Sequence, residues 1–169
     1  MILKIVKYPE PVLSQPGEPV TEFDAALRKL VADLFETTYA SQGIGLAAPQ
    51  VSVSKRVTVV DLSQGKDPAQ KLAIINPEVI FREGRQYEEE GCLSFPDIRE
   101  KVVRAARVRI RAQDEQGKWF EMDGDELLAR AFQHEIDHLD GMLFIFRMSG
   151  LKRDLTLRKI RKMQREGTW

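Results

Sequence analysis

The sequence predicts an α+β fold. Mainly antiparallel sheets pack around one central helix that carries the motif H-E-x-x-H, with a further helix near each end. Three observations lead there. β-Branched and period-two runs crowd the middle of the chain, and helical periodicity appears on either side of them. Strands and helices are also segregated rather than strictly alternating, the pattern of α+β chains.

The elements follow in order. Phe23, Leu27, Leu30, Val31, Leu34 and Phe35 recur at three- and four-residue intervals, which predicts an amphipathic helix over roughly 22–40. Thr21 and Asp24 have capping-box spacing at its start. Gly43 and Gly45 break it in "SQGIGLAAPQ", which by itself reads as a helix-to-strand loop. "RVTVVDL" (56–62) and "KLAIINPEVI" (71–80) are β-branched strands separated by the polar turn "SQGKDP". "EEEGCLSFPDIRE" reads as a constrained polar loop in which Pro96 stops regular structure. In "RVRIRAQDEQGKWFEM", Val108 and Ile110 alternate with arginines, and residues 114–117 supply a hairpin turn. Helical periodicity returns from about 125 until Gly141, and a last basic helix is expected at 150–166.

Length and composition bound the function. A chain of 169 residues suits a single domain, 1–169, with a substantial core. Acids and bases balance at 26 each, so no global field points to DNA or membrane as a partner. The single cysteine, Cys92, allows no internal disulfide and suits a reducing compartment. "MILKIVKYPEPVL" lacks the apolar core of a signal peptide, and a cytoplasmic location is expected. Nothing in the sequence demands more than a monomer.

The only two histidines, His134 and His138, lie four apart with Glu135 between them. Leu127, Ala131, His134 and His138 share one helical stripe, so both imidazoles project from one face and can reach one metal ion. Glu135 lies about 100° round the helix, a geometry set by 3.6 residues per turn. The same residues also read as half-buried histidines on a charged helix. A catalytic site needs a third ligand and one open position. A peptide-bond-cleaving H-E-x-x-H zinc peptidase would take it downstream, from Asp154 or Glu166. The upstream choice is Cys92.

Three separated motifs, "GIGLAAPQ" (43–50), "EGCLSFP" (90–96) and "QHEIDHLDG" (133–141), strongly resemble those of the peptide deformylases. "YPEPVL" and "NPEVI" are similar to the family as well. The resemblance implies removal of the formyl group from the N-terminal formylmethionine of nascent polypeptides. It implies Cys92, His134 and His138 as metal ligands, Glu135 as general acid/base, and Gln50 with the backbone N–H of Leu93 as holders of the formyl oxygen. Ile44, Gly45 and Gly91 would pair with substrate backbone, and Ile44, Leu127 and Ala131 would line the pocket for the first side chain. Arg99 matches a basic position near the substrate entrance. Glu88 falls where some relatives carry an apolar pocket residue, and Arg130 is expected to point outward. The implied metal is Fe²⁺, with Zn²⁺, Ni²⁺ or Co²⁺ able to substitute; a Cys/His/His set alone suits zinc equally.

Residues 151–169 carry seven basic and two acidic side chains, +5 on a chain whose remainder is −5. Leu151, Leu155, Leu157, Ile160 and Met163 form a narrow apolar stripe there. Such a run usually means a solvated helix packed by its stripe. The charge concentration, together with the family resemblance, implies docking on the phosphate-rich surface of the ribosome.

Overall fold

Val57, Thr58, Val59 and Val60 are all buried, although a two-faced strand ordinarily exposes every second residue. The explanation lies in what covers each face of the sheet they belong to. In the computed structural model, which describes residues 1–169, five antiparallel strands form that sheet: β1 (Gly45–Ala47), β2 (Val57–Val60), β3 (Leu72–Glu83), β6 (Arg107–Gln113) and β7 (Trp119–Asp125). Their order is β1-β2-β3-β6-β7. Helix α1 (Ala25–Ala40) packs Leu27, Val31, Leu34 and Phe35 against Val57, Val59 and Ile75. On the opposite face, α2 (Glu126–Leu139) packs Ala129, Phe132 and Ile136 against Val60, Ile74, Val108 and Ile110.

The far side of α2 is covered by a two-stranded hairpin, β4 (Gln86–Cys92) with β5 (Phe95–Arg104). Behind it lies a third cluster. Leu13, Phe95, Val102 and the 143–145 segment meet there with Ile160 of α3 (Gly150–Glu166). Helix α2 is therefore enclosed on all sides, with every residue from Ala129 to Leu139 buried. No helix is long and apolar enough to cross a membrane.

The expected class, the strands at 56–62 and 71–80, the 107–125 hairpin and all three helices are present. Three details differ. Helix α1 starts at Ala25, where Asp24 is itself the N-cap and accepts from the Leu27 N–H at 3.0 Å, so Thr21 caps nothing. The presumed loop around Cys92 is a hairpin in which Pro96 lies within β5. Pairing jumps from Gly91↔Arg99 to Cys92↔Phe95, and the resulting bulge takes Pro96 and Asp97 (φ 62°) out of the ladder, where a missing N–H costs nothing. A similar device accommodates "NPE" inside β3. Asn76 adopts φ 51°, and its amide bonds Val20 N, Val20 O and Gln113 Oε1 at 2.8–2.9 Å. Finally, α3 buries Thr156 and Ile160, while Leu151 (72% exposed) and Leu155 (53%) face away, so they do not belong to the packed stripe.

Candidate metal centre

Turning one face of α2 toward the hairpin brings His134 and His138 beside Cys92, the last residue of β4. The Cys92 sulfur lies 3.3 Å from His138 Nε2, which in turn lies 3.2 Å from His134 Nε2. One donor atom from each of the three residues falls within 4.8 Å of the others. Neither downstream alternative is near this group: Asp154 and Glu166 are exposed on α3, and Glu166 pairs with Lys162.

The donors are oriented for a cation. His134 Nδ1 meets Glu90 Oε2 at 2.7 Å, which places its proton on Nδ1 and turns the Nε2 lone pair to the centre. His138 Nδ1 is buried without a partner, and its Nε2 faces the other two donors. Burial disfavours a charged His134, but hydrogen bonds to Cys92 and Glu90 outweigh it and raise its pKa well above the ordinary value, so a metal ion would have to displace a proton from Nε2 to bind there. Burial and the neighbouring His134 push His138 well below, so it stays neutral. A thiolate and two imidazoles converging at this spacing fit one divalent ion with a position left open.

Glu90 is held in turn. Arg104 donates to both its oxygens at 3.0 and 2.6 Å, and Arg130 donates to Oε1 at 2.8 Å. Arg104 also reaches Asp137 at 2.6 Å, and Arg147 closes on Asp137 from the other side at 2.9 Å. Arg130 is thus buried, not directed outward as expected, because Glu90 and the carbonyl of Val102 lie across from it. Burial opposes ionisation of Glu90, but His134 and Arg104 overcome it and hold the carboxyl well below the usual range. Sequence reasoning missed this network of Glu90, Arg104, Arg130, Asp137 and Arg147. Its one available signal was the charge density of a helix that is otherwise strongly apolar.

Around the metal ligands opens a cavity of about 660 Å³. Ile44, Gly45, Gln50, Gly91, Cys92, Leu93, Arg99, Leu127, Ala131, His134 and Glu135 all line it, so every residue expected at the site except His138 borders one space. Glu88 does not; it is exposed on β4, and Glu89 and Glu90 line the wall instead. Gly45 and Gly91 permit close approach. A Cβ at Gly45 would stand 3.2 Å from the Glu135 side chain, and one at Gly91 2.8 Å from Arg99 Nη1. Strand β1 pairs only with β2, and β4 only with β5, so each leaves one backbone edge open.

Gln50 Oε1 accepts from the Ala47 N–H at 3.0 Å, which fixes the amide with its NH₂ toward the metal ligands. That NH₂ lies 3.6 Å from the Cys92 sulfur and 3.1 Å from Ser94 Oγ. The Leu93 N–H makes no hydrogen bond within the chain. Thr58 has one hydroxyl proton to divide between Leu46 O at 2.9 Å and Glu135 Oε2 at 3.3 Å. Burial, offset only partly by His134 and Thr58, pushes the Glu135 carboxyl up to about 7. A group titrating there is suited to both accept and return a proton near neutral pH.

A family model for polypeptide deformylase matches residues 2–154. The peptide deformylase of Acidobacterium capsulatum is 70% identical over 169 residues, covering all of this chain and 99% of that protein. That of Alkalilimnicola ehrlichii is 48% identical, over 98% of this chain and 93% of its own. Among solved structures, the peptide deformylase of Legionella pneumophila superposes with a TM-score of 0.91 at 43% identity, over 99% and 98% of the two chains. The Plasmodium falciparum structure gives 0.90 at 39%, over 96% of each. The chain belongs to the peptide deformylase family, metalloenzymes that remove the formyl group from the N-terminal formylmethionine of nascent polypeptides.

Proposed function

We propose that the whole chain acts as one monomeric, cytoplasmic catalytic domain that uses Fe²⁺ held by Cys92, His134 and His138. The observation that carries this reading is the convergence of three donor atoms within 4.8 Å, with His134 oriented by Glu90. When bound, the ion supplies a Lewis acid that lowers the pKa of water and polarises the formyl carbonyl. Glu135 takes the proton of the attacking water and returns it to the departing amine as the C–N bond breaks, so formate and a free amino terminus leave. Gln50 Nε2 and the Leu93 N–H donate to the formyl oxygen; each such donor is typically worth about 2.7–4 kcal/mol. The open edges of β1 and β4 pair with substrate backbone at Ile44, Gly45 and Gly91. Ile44, Leu127 and Ala131 receive the methionine side chain, and Arg99 stands at the entrance.

Thiolate donates more electron density than an oxygen ligand and favours a softer site. Iron is preferred over zinc here on the family resemblance, with Zn²⁺, Ni²⁺ or Co²⁺ as substitutes. Anaerobic purification with metal analysis, followed by an assay on formyl-Met-Ala-Ser and its acetylated and unformylated counterparts, tests the reading. Iron at one per chain and formate released from the formyl peptide alone are expected; cleavage of the Met–Ala bond would reject it. Cys92→Ser should sharply lower metal content, because a hydroxyl is a poor ligand beside a thiolate. Unchanged stoichiometry and affinity in that variant would place the third ligand elsewhere.

We further propose that α3 docks on the ribosome. Arg158, Lys159, Arg161 and Lys162 are exposed, and the apolar side chains of Leu151 and Leu155 stand free beside them. Phosphate contacts would make such binding strongly salt-dependent. Reversing these four charges to glutamate should abolish low-salt co-sedimentation with ribosomes while activity on a short formyl peptide persists. Co-sedimentation equal to wild type would reduce α3 to a packed, solvated helix.

A further inference from the structure

A second cavity, of about 500 Å³, lies behind α2. Gln133, Ile136, Asp137 and Asp140 border it, and their i, i+3, i+4, i+7 spacing puts them on a helix face about 130° round from His134 and His138. Its volume is that of a small-molecule site. Four arginines line it: Arg82, Arg85, Arg104 and Arg147. Two of them are committed elsewhere, Arg104 to Glu90 and Asp137, and Arg147 to Asp137. Asp140 is likewise engaged, by Arg56 at 2.8 Å. Arg82 and Arg85 are different. Their side chains make neither a hydrogen bond nor an ion pair, although acidic side chains border the same space.

Arg82 lies at the end of β3 and Arg85 in the short connection to β4, one on each side of the Glu83–Gly84 pair, with Gly84 at φ 67°. Two unpaired guanidinium forks thus face one cavity beside a single unpaired acid, Glu83; the other lining charges, Arg104, Arg147, Asp137 and Asp140, cancel, and the remaining wall includes Val79, Val103 and Ile136. Two planar forks offer more donors than a carboxylate has oxygens, whereas a phosphate presents three terminal oxygens to share between them. We propose that this cavity is a second binding site, distinct from the metal centre, for a phosphate group held by Arg82 and Arg85. The group that bears it packs against the Val79, Val103 and Ile136 wall.

The phosphate could belong to a free monoester or to the backbone of a nucleic acid, and three probes separate the sources. Inorganic phosphate, adenosine monophosphate and a five-nucleotide RNA are each titrated into the metal-loaded enzyme by calorimetry, in parallel with R82A/R85A. Both substitutions are on exposed side chains outside the catalytic cavity, so unchanged deformylation of a short formyl peptide reports an intact fold. The single variant R85A replaces the pair if the double variant is unstable. The expected result is one bound phosphate or monophosphate per chain, weakened at least tenfold by the substitutions. Arginine-dependent binding of the RNA alone would support the site and assign its ligand to a nucleic-acid backbone. Affinities unchanged by the substitutions, or no binding of any probe at millimolar concentration, would overturn the proposal.

Discussion

Glu135→Gln should keep its metal and lose turnover by a factor on the order of 10²–10⁴, the usual worth of a general acid–base. The substitution preserves shape. Thr58 Oγ1 lies 3.3 Å from Glu135 Oε2 and can meet a glutamine there, while the side chain stays in the same buried slot beside Gly45. Metal content should not change, since the nearest Glu135 oxygen stands 3.9 Å from His134 Nε2 and the three donors are Cys92, His134 and His138. What disappears is the ability to take a proton from water and give it to the amine. That ability matters only on the way to the transition state, so the loss should fall on kcat, with KM nearly unchanged. Steady-state kinetics with metal analysis of the same preparation checks both halves. Wild-type kcat at full metal occupancy would remove Glu135 from the reaction.

The sequence discloses the two histidines readily, because i, i+4 spacing on a helix determines that they share a face whatever packs around them. Cys92 is legible too, though by a weaker route, as the one soft ligand in a chain short of candidates. The wall behind them is not. Glu88, Glu89 and Glu90 are consecutive acids in what reads as a polar loop, yet only Glu90 is buried. Its burial depends on Arg104 and Arg130, which are 14 and 40 residues away, and no local periodicity encodes such a pairing. Arg130 misleads for the same reason. A charged residue on a helix is normally solvated, but the hairpin that covers α2 supplies it with a carboxylate and a carbonyl. The hairpin itself was hidden by Pro96, which a bulge tolerates and a regular ladder does not. In α3, hydrophobicity alone grouped Leu151 and Leu155 with Ile160. The packed face instead runs through Thr156, a residue whose polarity removed it from the apolar count.

A consequence of enclosing α2 is that its charges are sustained only as a set, and Glu90 is the member on which the others depend. Glu90→Ala should lower the unfolding free energy by about 3–5 kcal/mol, the cost of stranding a buried charge when its partner is removed. Two guanidiniums, of Arg104 and Arg130, would lose their carboxylate at once, and both side chains are only 4% exposed. Against a total stability of roughly 5–15 kcal/mol, that loss would leave a marginal protein. The same substitution releases His134 Nδ1, and loss of such an outer partner typically weakens metal binding by about 10–100-fold. Glu90→Gln separates the two effects. Its amide oxygen can still accept from His134 Nδ1, so metal affinity should fall less than in the alanine variant, while the arginines still lose their counter-charge. The pH dependence carries a definite sign. The Glu90 carboxyl is held well below its ordinary 4.5 in the folded chain. Its contribution is therefore fully present above that value and disappears as pH falls toward the lower folded one. Denaturant melts of the metal-loaded proteins between neutral and acid pH should show wild type losing stability below about pH 4.5, whereas Glu90→Gln starts lower and declines less steeply, because it lacks the titrating group. Parallel acid limbs in the two proteins would mean that the Glu90 charge contributes nothing to the fold. Equal chelator resistance in wild type and Glu90→Ala would mean that His134 is positioned by the helix alone.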